Sequence, residues 1–162
     1  MPPAEFAALL ARLGAAATSG DGQAFSACFT PDGVYNDYIY GAHNGRASIA
    51  DMLENLFHRD ATDYHWTFLD PVVNGDTGYA RSLSCFVSTI PAFEGNRIVI
   101  DGISRFILKD GLIGEYFESV NGGVAMTQLG VAPERIAKVL RRWSDRLLSD
   151  PEVVEYRKGF KS

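Results

Sequence analysis

Three glycine-centred turns, Asn74-Gly75-Asp76, Glu94-Gly95-Asn96 and Asp110-Gly111, divide the middle of the chain into four extended runs. The runs are Tyr64–Val73, Gly78–Ile90, Arg97–Lys109 and Leu112–Asn121. Links this short cannot carry a parallel crossover, so consecutive strands must pair antiparallel in a meander. Pro71 has no amide to give a ladder and predicts an edge strand or a bulge. Strands of this length twist, and a twisted sheet curls around whatever covers its concave face.

Helical patterns supply the cover. Phe6, Leu9, Leu10 and Leu13 recur at the spacing of one helix face. Asp21 is placed to cap a short second helix carrying Phe25, Cys28 and Phe29. Pro31-Asp32-Gly33 reads as a turn, followed by a short strand from Val34 to about Tyr38. A third helix holds Ile49, Met52, Leu53, Leu56 and Phe57 and ends at His58-Arg59-Asp60. Near the C-terminus Pro133 opens a helix with Ile136, Val139, Leu140, Trp143 and Leu147 on its apolar stripe. Asp150-Pro151 should end it and leave a short polar tail. The order ααβαββββ plus a helical extension is an α+β layer design.

With 162 residues, 46% of them apolar and 22% charged, the chain suits one domain with a core of its own. A net charge of −5 argues against nucleic acid as a partner. The basic side of the last helix (Arg135, Lys138, Arg141, Arg142, Arg146) reads as a solvated face. Cys28 and Cys85 make neither a disulfide framework nor a zinc set. The three histidines are too dispersed for a metal motif. His58 suits a helix C-terminus, and His43 reads as solvated in its loop. No apolar run approaches the roughly 20 residues of a membrane span. The N-terminus lacks the pattern of a secretion signal. A cytoplasmic protein that meets no membrane is the expectation.

Strand parity separates the two sheet faces. In Arg97–Lys109 the even face, Ile98, Ile100, Gly102, Ser104, Phe106 and Leu108, is the dry one and should meet the helices. The odd face alternates charged and aliphatic residues, with Asp101 and Arg105 among Val99, Ile103 and Ile107. That is too apolar for a free sheet face and predicts a homodimer through it, although a solvated face with scattered aliphatics has the same pattern. Ala80, Ser82, Ser84, Phe86 and Ser88 on one neighbour, with Leu112, Gly114, Tyr116, Glu118 and Val120 on the other, should join the even face. A pure core would not take serines and a glutamate, since buried polar atoms need partners or a ligand. A half-polar pocket follows.

The residues Gly20-Asp21, Phe29-Thr30-Pro31-Asp32-Gly33-Val34-Tyr35-Asn36-Asp37 and Gly45-Arg46-Ala47-Ser48-Ile49 carry a resemblance. Over about residues 4–121 the chain resembles the nuclear-transport-factor-2-like superfamily, in its SnoaL-like and ketosteroid-isomerase-like branches. The resemblance implies a cone: a strongly curved mixed β-sheet covered by three N-terminal helices. It implies a single SnoaL-like domain over residues 1–162, with a C-terminal helical extension from about residue 122. It also implies that Asp37 matches the proton-abstracting base of the isomerases. Leu13 and Ser104 stand where those enzymes carry their two oxyanion donors. A partly desolvated carboxylate at the cone mouth makes a better base.

The expected catalytic set is therefore Asp37, with His65 across the mouth and Glu118 inside. Asp37 could equally be a turn residue bonding local backbone, and His65 a histidine holding a carbonyl. The expected ligand contacts are Tyr35, Tyr40, Trp66, Ser84, Phe86, Ser104, Phe106 and Tyr116. Tyr116, Glu118 and the serines could instead close the cone as a buried network. The leading expectation is an isomerase, cyclase or dehydratase acting without cofactor or metal on a small apolar, oxygen-bearing molecule. A ligand-binding module without chemistry and a dimeric assembly module are the alternatives.

Overall fold

In the computed structural model, which describes residues 1–160, one six-stranded sheet runs in the order β2-β1-β6-β5-β4-β3. The strands are β1 (Phe29–Asp37), β2 (Gly41–Asn44), β3 (Ala61–Asn74), β4 (Thr77–Ser88), β5 (Arg97–Lys109) and β6 (Leu112–Val120). The meander β3-β4-β5-β6 is antiparallel throughout, whereas β1 joins β6 in parallel. The sheet is thus mixed, open and curled, in an α+β molecule. The β5–β6 link is tight because Asp110 and Gly111 both take positive φ (53° and 79°), which matches the strand twist.

Helices α1 (Pro3–Ser19), α2 (Gly22–Ala27) and α3 (Gly45–Met52) cover the inner face. Helix α1 buries Phe6, Leu9, Leu10 and Leu13, and ends at Gly20 in the left-handed conformation (φ 74°). Asp21 caps α2 by accepting from the Ala24 amide at 2.8 Å. Close approach of α1 to the sheet needs glycine at Gly78, where a Cβ would stand 2.4 Å from the Phe6 ring. Helix α3 loosens into one π-turn, Leu53–Phe57, before β3. Beyond the cone lie α4 (Gly122–Leu129), α5 (Pro133–Ser149) and α6 (Pro151–Arg157). None of the helices among the described residues is long and apolar enough to cross a membrane.

Several local expectations change. Pro31-Asp32-Gly33 is no free turn but a bulge inside β1, where the register against β6 jumps between Phe29 and Val34. Strand β2 was not visible in a four-residue segment without apolar alternation. Pro71 does lie on the edge strand, beside a register shift between Leu69 and Val72. The expected polar tail after Asp150 is helical, because Asp150 caps α6 by accepting from the Glu152 and Val153 amides.

Candidate functional site

Parity and the parallel β1–β6 pair build the site. Tyr35 lies opposite Tyr116, and Asn36 opposite Phe117, so the next rung sets Asp37 beside Glu118. Two tyrosines thus form one rung on the inner face and two carboxylates the next inward-facing one. The tyrosine rings stack at 4.3 Å.

Asp37 is 7% exposed. Its Oδ1 accepts from the amides of Ile39 at 2.8 Å and Tyr40 at 2.5 Å, closing the turn that leads into β2. Burial raises its pKa, and those two amides oppose the rise. Glu118 Oε1 accepts from the Tyr38 amide at 3.4 Å, and Oε2 accepts from the Tyr116 hydroxyl at 3.1 Å. Burial, then the neighbouring charge of Asp37, push Glu118 up to about 7. Behind it the Ser104 and Tyr116 hydroxyls lie 2.8 Å apart, so a chain of hydroxyls backs the carboxylate.

These carboxylates open on a cavity of about 210 Å³. Its wall is chiefly Tyr35, Phe57, Tyr64, Trp66, Phe86, Ile98 and Ile100, with Ser82, Ser84 and Ser88 among them. Ser82 accepts the Trp66 indole proton at 2.7 Å. Tyr64 stacks on Phe86 at 5.5 Å, and burial raises its pKa. Helix α4 closes one side through Ala125, Met126 and Leu129. Below the end of β6, Gln128 takes the place of a neighbouring strand. Its Oε1 accepts from the Val99 amide and its Nε2 donates to the Val99 carbonyl, both at 2.9 Å. The Asn96 amide group donates to the Leu129 carbonyl at 2.8 Å and holds the end of α4.

Of the residues singled out from sequence, Asp37, Glu118, Tyr35, Tyr40, Trp66, Ser84 and Phe86 all line this cavity. Ser104 and Tyr116 lie one layer behind it, and Phe106 packs deeper, edge-on to Phe6. His65 needs correction. Its side chain is 68% exposed, and Nε2 lies 3.1 Å from Asp63 Oδ1 on the outer face. Strand alternation puts His65 outside because its neighbour Trp66 points in. His43, read as solvated, is half-buried on β2 opposite Tyr35, with Nδ1 3.4 Å from the Ser48 hydroxyl. His58 ends the π-turn and donates from Nε2 to the Ala17 carbonyl at 2.8 Å. Tyr64 was missed, although it shares parity with Trp66, and Ser82, placed on the inner face by parity, was not among the expected ligand contacts. Met126 and Leu129 were missed too, and their apolar spacing with Ala125 was the available signal.

Comparison with known proteins fits this geometry. The family model described as the SnoaL-like domain matches residues 10–116. The chain belongs to the SnoaL-like family. The match spans α1 to the middle of β6, and so includes Asp37 but stops short of Glu118 and α4. No curated protein matches the chain. Among solved structures, this SnoaL-like domain is similar to TsrD from Streptomyces laurentii (TM-score 0.72, 21% identity, covering 82% of this chain and 99% of that one). It is similar to a protein of ketosteroid-isomerase-like fold from Catenulispora acidiphila, solved with trimethylamine (TM-score 0.69, 16% identity, 78% and 95% covered). It is also similar to IdmH from Streptomyces antibioticus, a candidate polyketide cyclase (TM-score 0.65, 20% identity, 81% and 100% covered). At these identities the likeness establishes the fold alone.

Proposed function

We propose that the cavity takes a small, mostly apolar, oxygen-bearing molecule and that Asp37 and Glu118 move protons on it. The reaction class is isomerisation, cyclisation or dehydration, and it calls on no cofactor. The observation that carries this reading is the carboxylate pair. Two acids share one largely apolar cavity, and their surroundings push them unequally. Burial raises the pKa of Asp37, which makes it a stronger base, while two backbone amides oppose that rise; Asp37 serves as the base. Glu118 holds a proton up to about pH 7 and serves as the acid. The volume suits a single substituted ring, since a cavity of about 150 Å³ already admits benzene. The likeness to a candidate polyketide cyclase is in keeping with an oxygenated carbon skeleton.

A second reading, binding without turnover, draws on the same turn at Asp37. With Oδ1 engaged by local amides, the residue has a structural duty whatever the ligand. A thermal-shift screen of cyclic ketones, enones, phenols and epoxides separates the two, run on wild type and Asp37→Asn. A binder raises the melting temperature by mass action. We expect a family of hits that weaken in Asp37→Asn, with turnover of those compounds lost in the variant. Tight binding that survives the substitution, with no turnover in wild type, would establish the second reading. An absence of hits would defeat both.

We also place a second copy of the chain on the outer sheet face. Val72, Val99 and Ile103 are exposed there, around an Arg81–Asp101 pair bonded at 2.9 Å.

A further inference from the structure

The cavity carries one sign of charge. Asp37, Asp60 and Glu118 line it, and no lysine, arginine or histidine does so among the described residues. Asp60 is paired at the rim with Arg59, whose Nε donates to it at 2.9 Å. Asp37 has no such partner. It is 7% exposed, its Oδ1 takes two backbone amides, and its Oδ2 takes no hydrogen bond among the described residues. His43 stands near Asp37 on β2, but its Nδ1 lies 3.4 Å from the Ser48 hydroxyl and it does not line the cavity. A carboxylate oxygen left free against an apolar wall is costly without a partner. That wall is aromatic, built from Tyr40, Phe57, Tyr64, Trp66 and Phe86. Phe57 lies 6.3 Å from Tyr40 and 6.4 Å from Trp66, with the planes turned 38° and 52° apart, so the rings form angled walls and not one stack. The face of an aromatic ring attracts a cation, and more strongly where water is excluded. Acids and ring faces therefore favour the same guest. No three histidine, cysteine or acidic side chains among the described residues stand close enough to share a metal ion, so the fitting cation is organic.

We infer that the cavity binds a small organic cation, a tertiary or quaternary ammonium, with its nitrogen beside Asp37 and Glu118 and its alkyl groups on the aromatic wall. This rests on the reading of the cavity as a ligand site and adds a positive charge to what the site accepts. The cation takes the place of a proton. Burial and the charge of Asp37 keep Glu118 protonated up to about pH 7, and a positive charge beside both acids favours its ionised form. The titratable groups that face Glu118 are Asp37 and Tyr35 on β1, Tyr64 on β3 and Tyr116 on its own strand, none of them basic. Helix α4 brings only Ala125, Met126 and Leu129 to the wall. As the cation enters, the Glu118 proton passes to solvent. A seated cation thus withholds the acid that proton transfer needs, and it competes with turnover.

Choline and neohexyl alcohol test the assignment, because they share a shape and a hydroxyl and differ by a quaternary nitrogen against a quaternary carbon. Binding of each to wild type, Glu118→Gln and Phe57→Leu is measured by titration calorimetry. Repeating the choline titration at pH 6 in two buffers of different ionisation enthalpy counts the protons released. At pH 8 we expect wild type to prefer choline about tenfold, from ring faces and carboxylates together. Glu118→Gln should weaken choline about tenfold, the effect of one neighbouring charge, and move the alcohol far less. Wild type should release about one proton per choline at pH 6, and Glu118→Gln none. Phe57→Leu keeps an apolar wall without the ring face and should weaken choline about fivefold, with little change for the alcohol. An alcohol bound as tightly as choline in wild type would overturn the cation and leave the cavity reading standing. Choline binding indifferent to Glu118→Gln, with no proton released, would also overturn it. Should Glu118→Gln lose both probes, equal weakening of both in Phe57→Leu would overturn the aromatic seat, and selective loss of choline would uphold it. Failure of both probes to bind wild type would overturn the cavity reading and this inference together.

Discussion

Glu118 owes its unusual protonation to its place on a parallel rung. Its neighbours across β1 and along β6 are Asp37, a like charge, and Tyr116, a hydroxyl that helps the ionised form only in part. The folded-state pKa of about 7 stands above the ordinary 4.5 of an unfolded chain. The folded protein therefore binds more protons between those values, and stability falls as pH rises through that window. At pH 8 the full penalty is about 3 kcal/mol at most. Glu118→Gln removes the charge and keeps an acceptor for the Tyr38 amide. Its melting temperature should match wild type at pH 5 and exceed it at pH 8, in scanning calorimetry at both values. A constant difference across pH would place the charge elsewhere. The same protonation predicts turnover that declines above about pH 7 as the acid is lost.

At the scale of elements, α4 does two jobs. Its apolar side completes the cavity wall through Met126 and Leu129, and Gln128 pairs with the backbone of Val99 where β6 has already ended. A side-chain amide matches a peptide group in donor and acceptor, so it can finish a ladder for one residue. Asn121 caps the start of the helix and Gly130 (φ 88°) ends it. Helix α5 rests on this joint through Trp143, edge-on to Tyr38 at 4.7 Å and against Gly122. Gln128→Ala should cost about 1 kcal/mol, since its two bonds are exposed. Amide exchange at Val99 should accelerate, and ligand release should quicken with a loosened wall. Unchanged exchange at Val99 would show that Gln128 is not what anchors the helix.

For the whole molecule, the outer sheet face matters most. Ile103 is 52% exposed and Val72 63%, while Arg81 and Asp101 are already paired within the chain. A second copy offers the same aliphatic groups and the same Arg81–Asp101 pair, so apolar surface can meet apolar surface across a two-fold axis. Light scattering on the native protein should give twice the chain mass. Ile103→Asp, which adds an unpaired charge at the centre of β5, should shift the mass to that of the monomer. Monomeric wild type at tens of micromolar would remove the second copy.

The turns at Asn74-Gly75 and Asp110-Gly111, the inward parity of β5 and the apolar face of α1 were settled by local chemistry. Backbone twist, alternation and helical spacing act over a few residues, so the meander, its cover and the inward face of Glu118 were legible in the sequence. The parallel pairing of β1 with β6 joins residues about 80 positions apart, and only that pairing sets Asp37 beside Glu118. The bulge in β1 and the left-handed Asp63 and Asp70 of β3 (φ 50° each) interrupt the strand regularity that parity arguments rely on. His65 and Trp66 show the consequence. One residue of register exchanges the two faces of a strand, and the packing of Trp66 under Thr18 and Ser82 decided which of them points inward. Local sequence determined the elements and the faces they present, because those depend on near neighbours. Which polar side chains share one dry cavity was decided by long-range pairing, because two buried carboxylates acquire their chemistry from each other and from the surroundings that exclude water.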